Sequence, residues 1–228
     1  MILIYKIIIM KIRKLFYSAM ALALFSCTGQ QTEQQAQTEE QAPTHMCVVP
    51  MPATFSVESL PDGEVPVAFA ASDFDWDGGK LTFTIYNADT YEGALVDKLQ
   101  EGDTIVYDGN SVVVKTITKD NGFLEVNDGL GNENGASFRV NDNGTYTAAS
   151  FDDHSVYSEL GKVQLPLAKG YVIEDCGPEP NDPVVTISEN QKDYIGNLFE
   201  DKRNFNQLDT RITVKNGEIV KIARHWIP

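Results

Sequence analysis

The sequence predicts a mainly β fold: antiparallel sheets, or a small barrel or sandwich, with one α-helix over residues 188–202 and a terminal β-hairpin. Three observations carry this expectation. Short alternations of apolar and polar residues recur along the chain, with the period of half-buried strands. Turn clusters separate them at Asp77-Gly78-Gly79, Asp108-Gly109-Asn110, Asp120-Asn121-Gly122 and Asn216-Gly217, and each supplies a residue that tolerates positive φ. Helical spacing is well marked only in the stretch that follows Ser188.

Taken in order, the alternating segments place strands near Val65 to Ala71, Leu81 to Tyr86, Thr104 to Tyr107, Val112 to Thr118 and Phe123 to Val126. Further strands follow near Ser137 to Val140, Lys162 to Leu165, Thr210 to Val214 and Glu218 to Trp226. A short helical turn fits Tyr91 to Leu99. Ser188 and Gln191 pair as a capping box, and Gln191, Tyr194, Ile195, Leu198 and Lys202 share one helix face. Gly196 inside that helix costs about 1 kcal/mol relative to Ala, so packing must hold it together.

The last hairpin offers two turns. A two-residue Asn216-Gly217 turn would set Ile212 opposite Lys221. A three-residue Lys215-Asn216-Gly217 loop sets it opposite Val220 and gathers Ile212, Val214, Val220 and Ile222 on one buried side, so the three-residue loop with a bulge at Gly217 is expected. Trp226 falls on that side and is expected to fasten the terminus to the core.

Asp73-Phe74-Asp75-Trp76-Asp77-Gly78 matches the opening of a calcium loop, with Asp73, Asp75 and Asp77 as the candidate metal ligands. The twelfth position is Thr84 where a bidentate Glu is needed, and Leu81 to Tyr86 alternates like a strand. A hairpin turning at Gly78-Gly79 explains the same residues, with Phe74 and Trp76 buried and Asp73 and Asp75 outward. The opposite parity of Val65, Val67 and Phe69 then requires a bulge or break near Ala70 to Ser72. The hairpin is the preferred reading, and calcium is the one cofactor the sequence offers.

At the amino end Lys11, Arg13 and Lys14 precede an uncharged run from Leu15 to Phe25, the order of a secretion signal. The run is too short for the ~30 Å hydrocarbon core, and Met10 makes a better start than Met1. Leu24-Phe25-Ser26-Cys27 resembles the lipobox of bacterial lipoproteins. That resemblance implies a signal peptide over residues 1–26, cleavage before Cys27 and lipidation of its thiol. It also implies a lipid-anchored place in the cell envelope at the outer membrane, on its periplasmic or surface side. Residues 27–44 are rich in Gln, Glu and Thr with no large apolar side chain after the cysteine, a composition that stays unfolded and serves as a tether. Residues 45–228 are then a single mostly β domain. Its sequence resembles exported bacterial lipoproteins of no assigned activity.

Removing residues 1–26 leaves 14 Lys and Arg against 33 Asp and Glu, a net charge of −19. Nucleic-acid binding needs clustered cations and is set aside. Cys47 and Cys176 are the two cysteines of the exported domain, and in an oxidising compartment they are expected to form one disulfide. Neither has the flanks of a thiol enzyme. Asp152-Asp153-His154-Ser155 holds the letters of a hydrolase triad, but neighbours in an extended chain point to opposite faces and no nucleophile elbow accompanies them. His45 and His225 read as surface or packing residues. The loops Asn127 to Gly135 and Asn141 to Gly144 are polar enough to bind sugar or cation. Leu99 to Gly109 resembles the L-x-x-G-D-x-I-x-x-D-G entry into small β-barrels, a pattern that gives fold and not function.

The expected function is a non-enzymatic binding or structural module of the cell envelope. It would be joined to the membrane by its lipid and engage an envelope protein or glycan. The alternative is a calcium-binding or hydrolytic envelope enzyme.

Overall fold

The computed structural model describes residues 44–177, 179–188 and 204–227. The helix expected over 188–202 lies outside the described residues, apart from Ser188, which ends a strand. In chain order the strands are β1 (Cys47–Val48), β2 (Gly63–Ala68), β3 (Phe74–Asp75), β4 (Lys80–Ala88), β5 (Thr90–Tyr91), β6 (Thr104–Tyr107), β7 (Asn110–Val113) and β8 (Ile117–Asp120). They continue as β9 (Phe123–Val126), β10 (Ala136–Val140), β11 (Tyr146–Ala149), β12 (Tyr157–Asp175), β13 (Val185–Ser188), β14 (Thr210–Lys215) and β15 (Glu218–Arg224). One short helix, α1 (Gly93–Val96), sits where a helical turn was expected. The fold is mainly β, and no helix among the described residues is long and apolar enough to cross a membrane.

Five strands close a barrel. β2 pairs β4, β14 pairs β2, and β15 pairs β14, all antiparallel. β12 completes the ring because it has two partners within it: Tyr157 to Pro166 run antiparallel to β4, and Val172 to Asp175 run parallel to β15. The order β2-β4-β12-β15-β14, with its one parallel pair, is the Greek-key connectivity of OB-type barrels. Closure leaves few free edges. Inside lie Val65, Val67, Leu81, Phe83, Ile85 and Ile212, all buried. β3 and β13 are added outside the ring, on β4 and β12.

From the stretch between the second and third barrel strands, together with β1 from ahead of the first, the chain builds a second β unit. β1 pairs parallel with β6, which forms a hairpin with β7. β5, β11, β10, β9 and β8 form a five-stranded antiparallel sheet. The two sheets bury a core of their own around Tyr91, Ile105, Leu124, Val126 and Phe138. The two turns expected at Asp108-Gly109 and Asn121-Gly122 are two-residue loops with positive φ at both positions, as type I′ hairpins need.

One end of the barrel is sealed by a polar pair and a run of rings. Arg224 is 1% exposed; its Nε donates to Asp175 Oδ1 at 2.5 Å and its Nη2 to Oδ2 at 3.0 Å. The guanidinium lies 4.3 Å from the Phe205 ring centre. Phe205 stacks on Phe69 at 4.6 Å, Phe69 meets Phe74 edge-on at 5.6 Å, and Phe74 stacks on Trp76 at 4.4 Å. Each contact adds a little beyond area burial. Together they join β15 to the loop that follows β3.

Four expectations are corrected. The terminal hairpin uses the two-residue Asn216-Gly217 turn, with Lys215 opposite Glu218, and the extra residue sits further along so that Ile212 faces Ile222. Displacing the bulge to Val220 keeps Ile212, Val214, Ile219 and Ile222 inside, which the turn-centred argument assigned to the loop. Trp226 is exposed, because β15 ends at Arg224 and the guanidinium takes the last inward position. The segment Val112 to Thr118 is two strands, β7 and β8, turning between Val113 and Ile117. The Asp73 hairpin forms, but Phe74 pairs with Leu81 and not Phe83, so Trp76 belongs to a four-residue loop. The expected break is the 3₁₀ turn Ala71–Asp73.

Because Asp175 and Arg224 are both buried, losing one strands the other's charge. Arg224→Met is expected to lower stability by about 3–5 kcal/mol in urea unfolding. The double variant Asp175→Leu/Arg224→Met should recover most of that loss. Equal instability of single and double variants would show that packing, and not the charge pair, holds this end.

Candidate functional site

The second β unit carries a polar cleft of about 540 Å³, within the range of ~300–1,000 Å³ typical of small-ligand sites. Its walls are the β6–β7 hairpin, with Tyr107, Asp108, Asn110, Ser111 and Val112, and the loop Glu133-Asn134-Gly135. A smaller hollow of about 250 Å³, lined by Ser111, Val113, Lys115 and Asn134, adjoins it through two shared residues.

The loop wall is shaped by local backbone chemistry. After β9, Asn127, Asp128 and Gly129 have φ of 53°, 64° and 70°, a left-handed run that Asn, Asp and Gly tolerate best. The chain then folds back: the Asn132 amide donates to the Gly129 carbonyl and the Gly135 amide to the Asn132 carbonyl. A Cβ on Gly135 would lie 1.8 Å from the Gly129 carbonyl oxygen, so only glycine fits.

Asn127 ties both walls together. It is 4% exposed. Its Oδ1 accepts from the amides of Lys115 at 2.7 Å and Thr116 at 3.3 Å, and its Nδ2 donates to the carbonyls of Val113 and Asn134, both at 2.8 Å. One side chain therefore fulfils its hydrogen-bonding capacity by fixing the end of β7 against the opposite loop. Across the cleft the Tyr107 hydroxyl donates to the Ala149 carbonyl at 2.6 Å, and its ring meets Phe138 edge-on. Burial first, and then the charge of Asp108, push the Tyr107 hydroxyl up to about 12.

Asp103 holds the base of this unit. Its carboxylate is 0% exposed and accepts from the amides of Met46 at 2.8 Å and Gln100 at 2.9 Å, with His45 Nδ1 3.5 Å away. Burial pushes its carboxyl up, but the two amides and the His45 imidazole outweigh it and leave it below the ordinary range. The adjacent Gly102 has φ of 90°, and a Cβ there would strike the His45 ring at 2.2 Å. The Gly-Asp of the barrel-entry pattern is thus explained: glycine makes room for the imidazole, and aspartate clasps the incoming chain.

The other residues singled out in the sequence are dispersed. Cys27 lies outside the described residues. Cys47 is exposed on β1, whereas Cys176 is half-buried just after β12. The two cysteines expected to pair are not bonded to each other. Asp73 Oδ2 accepts from the Ala70 amide and Asp75 Oδ1 from the Gly78 amide, each within its own turn, and Asp77 is exposed in the loop. Among the described residues no group of three acidic, His or Cys side chains is placed to hold a metal ion. The Asp153 carboxylate binds Arg139 Nη1 at 2.8 Å, Ser155 Oγ is near Arg139 Nη2, and the His154 carbonyl accepts from the Ser150 amide. These contacts make a loop clasp.

Sequence reasoning pointed to one wall of the cleft, the polar loop from Asn127 to Gly135. It missed the other, because Asp108-Gly109-Asn110 read only as a turn. No protein-family model matches the chain, and no curated protein or solved structure matches it significantly.

Two outcomes follow from this geometry. Asn127→Ala leaves four backbone groups without their partner and should cost about 1–3 kcal/mol. Hydrogen exchange should accelerate first at the Lys115 and Thr116 amides; unchanged protection there would refute the positioning role. For Asp103, a folded pKa below the unfolded value means that stability is present above the ordinary carboxylate range of about 4 and lost as pH falls through the lowered value. Asp103→Asn should lower the urea midpoint at pH 7 and flatten its fall below about pH 4. A variant as acid-sensitive as the wild type would place that sensitivity in other carboxylates.

Proposed function

We propose that the chain is an exported lipoprotein, anchored through Cys27, whose β domain acts in the cell envelope as a non-enzymatic binding module. The observation that carries the binding role is the make-up of the cleft: amides, carboxylates, a hydroxyl and a phenol ring, on walls fixed by Asn127. Such groups recognise a ligand by hydrogen bonding. The address is supported by Leu24-Phe25-Ser26-Cys27 after a basic and apolar leader, and by the polar spacer that follows. Two or more acyl chains on one cysteine give stable attachment, since each buried methylene contributes about 0.8 kcal/mol. The ligand or partner is an envelope protein or glycan, because a body tethered at a bilayer meets those first.

Metabolic labelling with an alkyne fatty acid in a bacterial host tests the address. The wild-type chain should become labelled and sediment with membranes, and Cys27→Ala should be unlabelled and released. An unlabelled wild-type chain would overturn the lipoprotein reading.

A further inference from the structure

Resting on the binding-module reading above, we propose that the cleft between the β6–β7 hairpin and the Glu133-Asn134-Gly135 loop is a saccharide site for a neutral, polyhydroxylated chain. Sugar hydroxyls each donate and accept, so they are matched by side chains that offer both functions or accept twice. The cleft holds such a set. Asn110 donates one amide hydrogen to the Asp108 carbonyl at 2.8 Å, which fixes its amide and leaves a second hydrogen and Oδ1 for a ligand. The backbone of Asn134 is pinned by Asn127 Nδ2 and by Asn132 Oδ1, so its side chain projects from a set position. The carboxylates of Asp108 and Glu133 accept strong, charge-assisted hydrogen bonds from hydroxyls. The half-buried Tyr107 ring, held by its bond to Ala149, adds an apolar surface for a sugar's C–H face.

The lining argues against other ligand classes. An anionic polymer would meet Asp108 and Glu133 in a chain of formal net charge −15. A peptide would want apolar pockets, and in the main cleft only Tyr107 and Val112 supply apolar surface, with Val113 alone in the adjoining hollow. The adjoining hollow, which shares Ser111 and Asn134 with the main cleft, makes two consecutive compartments. Two compartments in series fit successive residues of an oligosaccharide better than one isolated small molecule.

The test uses the full chain in detergent micelles and four neutral probes: cellotetraose, maltotetraose, mannotetraose and chitotetraose. Tetragalacturonate and calcium chloride serve as controls. At least one neutral tetrasaccharide is expected to bind in calorimetry. Asn110→Ala and Asn134→Ala, both at exposed positions, should each weaken binding about tenfold without moving the melting temperature. Release of the intact tetrasaccharide is also expected. The inference is overturned if no neutral probe binds at about 10 mM, if the two variants bind as tightly as the wild type, or if tetragalacturonate or calcium alone binds as well as the sugars. Lipid labelling at Cys27 separates the two failures: label without sugar binding removes only the saccharide assignment, and sugar cleavage with label removes the non-enzymatic reading.

Discussion

The fold depends on one strand serving two partners. β12 must leave β4 and reach β15 for the ring to close, and a straight strand cannot do that. Its sequence provides the bend. Gly161 has φ of 130° at a register shift against β4, and Gly170 has φ of 79° within the shift against β15. Pro166, which offers no amide hydrogen, occupies the last pairing with β4, and the next amide, that of Leu167, donates to the Gly79 carbonyl. Inward parity survives the change of partner: Val163, Leu165 and Leu167 pack against the core before the bend, and Tyr171 and Ile173 are buried in it afterwards. The buried Asp175 then ends the strand against Arg224.

That sequence of devices explains what was legible and what was not. Hairpins with self-contained turn chemistry were readable: β6 and β9 have the expected bounds, because Asp108-Gly109 and Asn121-Gly122 need nothing from elsewhere in the chain. β12 was seen only as Lys162 to Leu165, since Gly161, Pro166 and Gly170 are locally strand breakers and become bends only when two partners are in place. The shift at Val220 was hidden for a similar reason. A hairpin considered alone prefers its bulge at the turn, whereas a barrel wall can move it to where curvature is needed. Tyr146 to Ala149, with Thr147 and two alanines, lacks strong alternation and is a strand because β5 and β10 flank it.

The site follows the same division. Polar loop composition marked Asn127 to Gly135, but nothing local says that Asn127 reaches back to the end of β7. A residue bonding Val113, Lys115, Thr116 and Asn134 is a tertiary fact. Asp103 is the counterpart that sequence pattern did mark, without its cause. The clasp works because the amide of Met46 arrives from a segment 57 positions earlier.

The chain builds two separate hydrophobic cores, one in the barrel and one in the second β unit. The barrel holds Arg224, Asp175 and the aromatic run, none of which reaches the cleft, while the inserted unit holds the cleft and its own core around Phe138. They meet where the chain leaves β4 and enters β12: Asp89 donates its amide to Val156, Ser158 Oγ donates to the Asp89 carboxylate at 2.6 Å, and the Met51 amide donates to Thr90. Asp89 is 3% exposed, and burial pushes its carboxyl up against the opposing Ser158 bond. A buried carboxylate with one side-chain partner is a poor choice for stability alone. Its position gives it another effect: it commits Ser158, and with it the first residues of β12, to a fixed exit from the insert. The charge of Asp108, exposed on the cleft wall, also pushes the Asp89 carboxyl up, so this junction is electrostatically coupled to the cleft, whereas the Asp175–Arg224 pair that ends β12 lies apart from it.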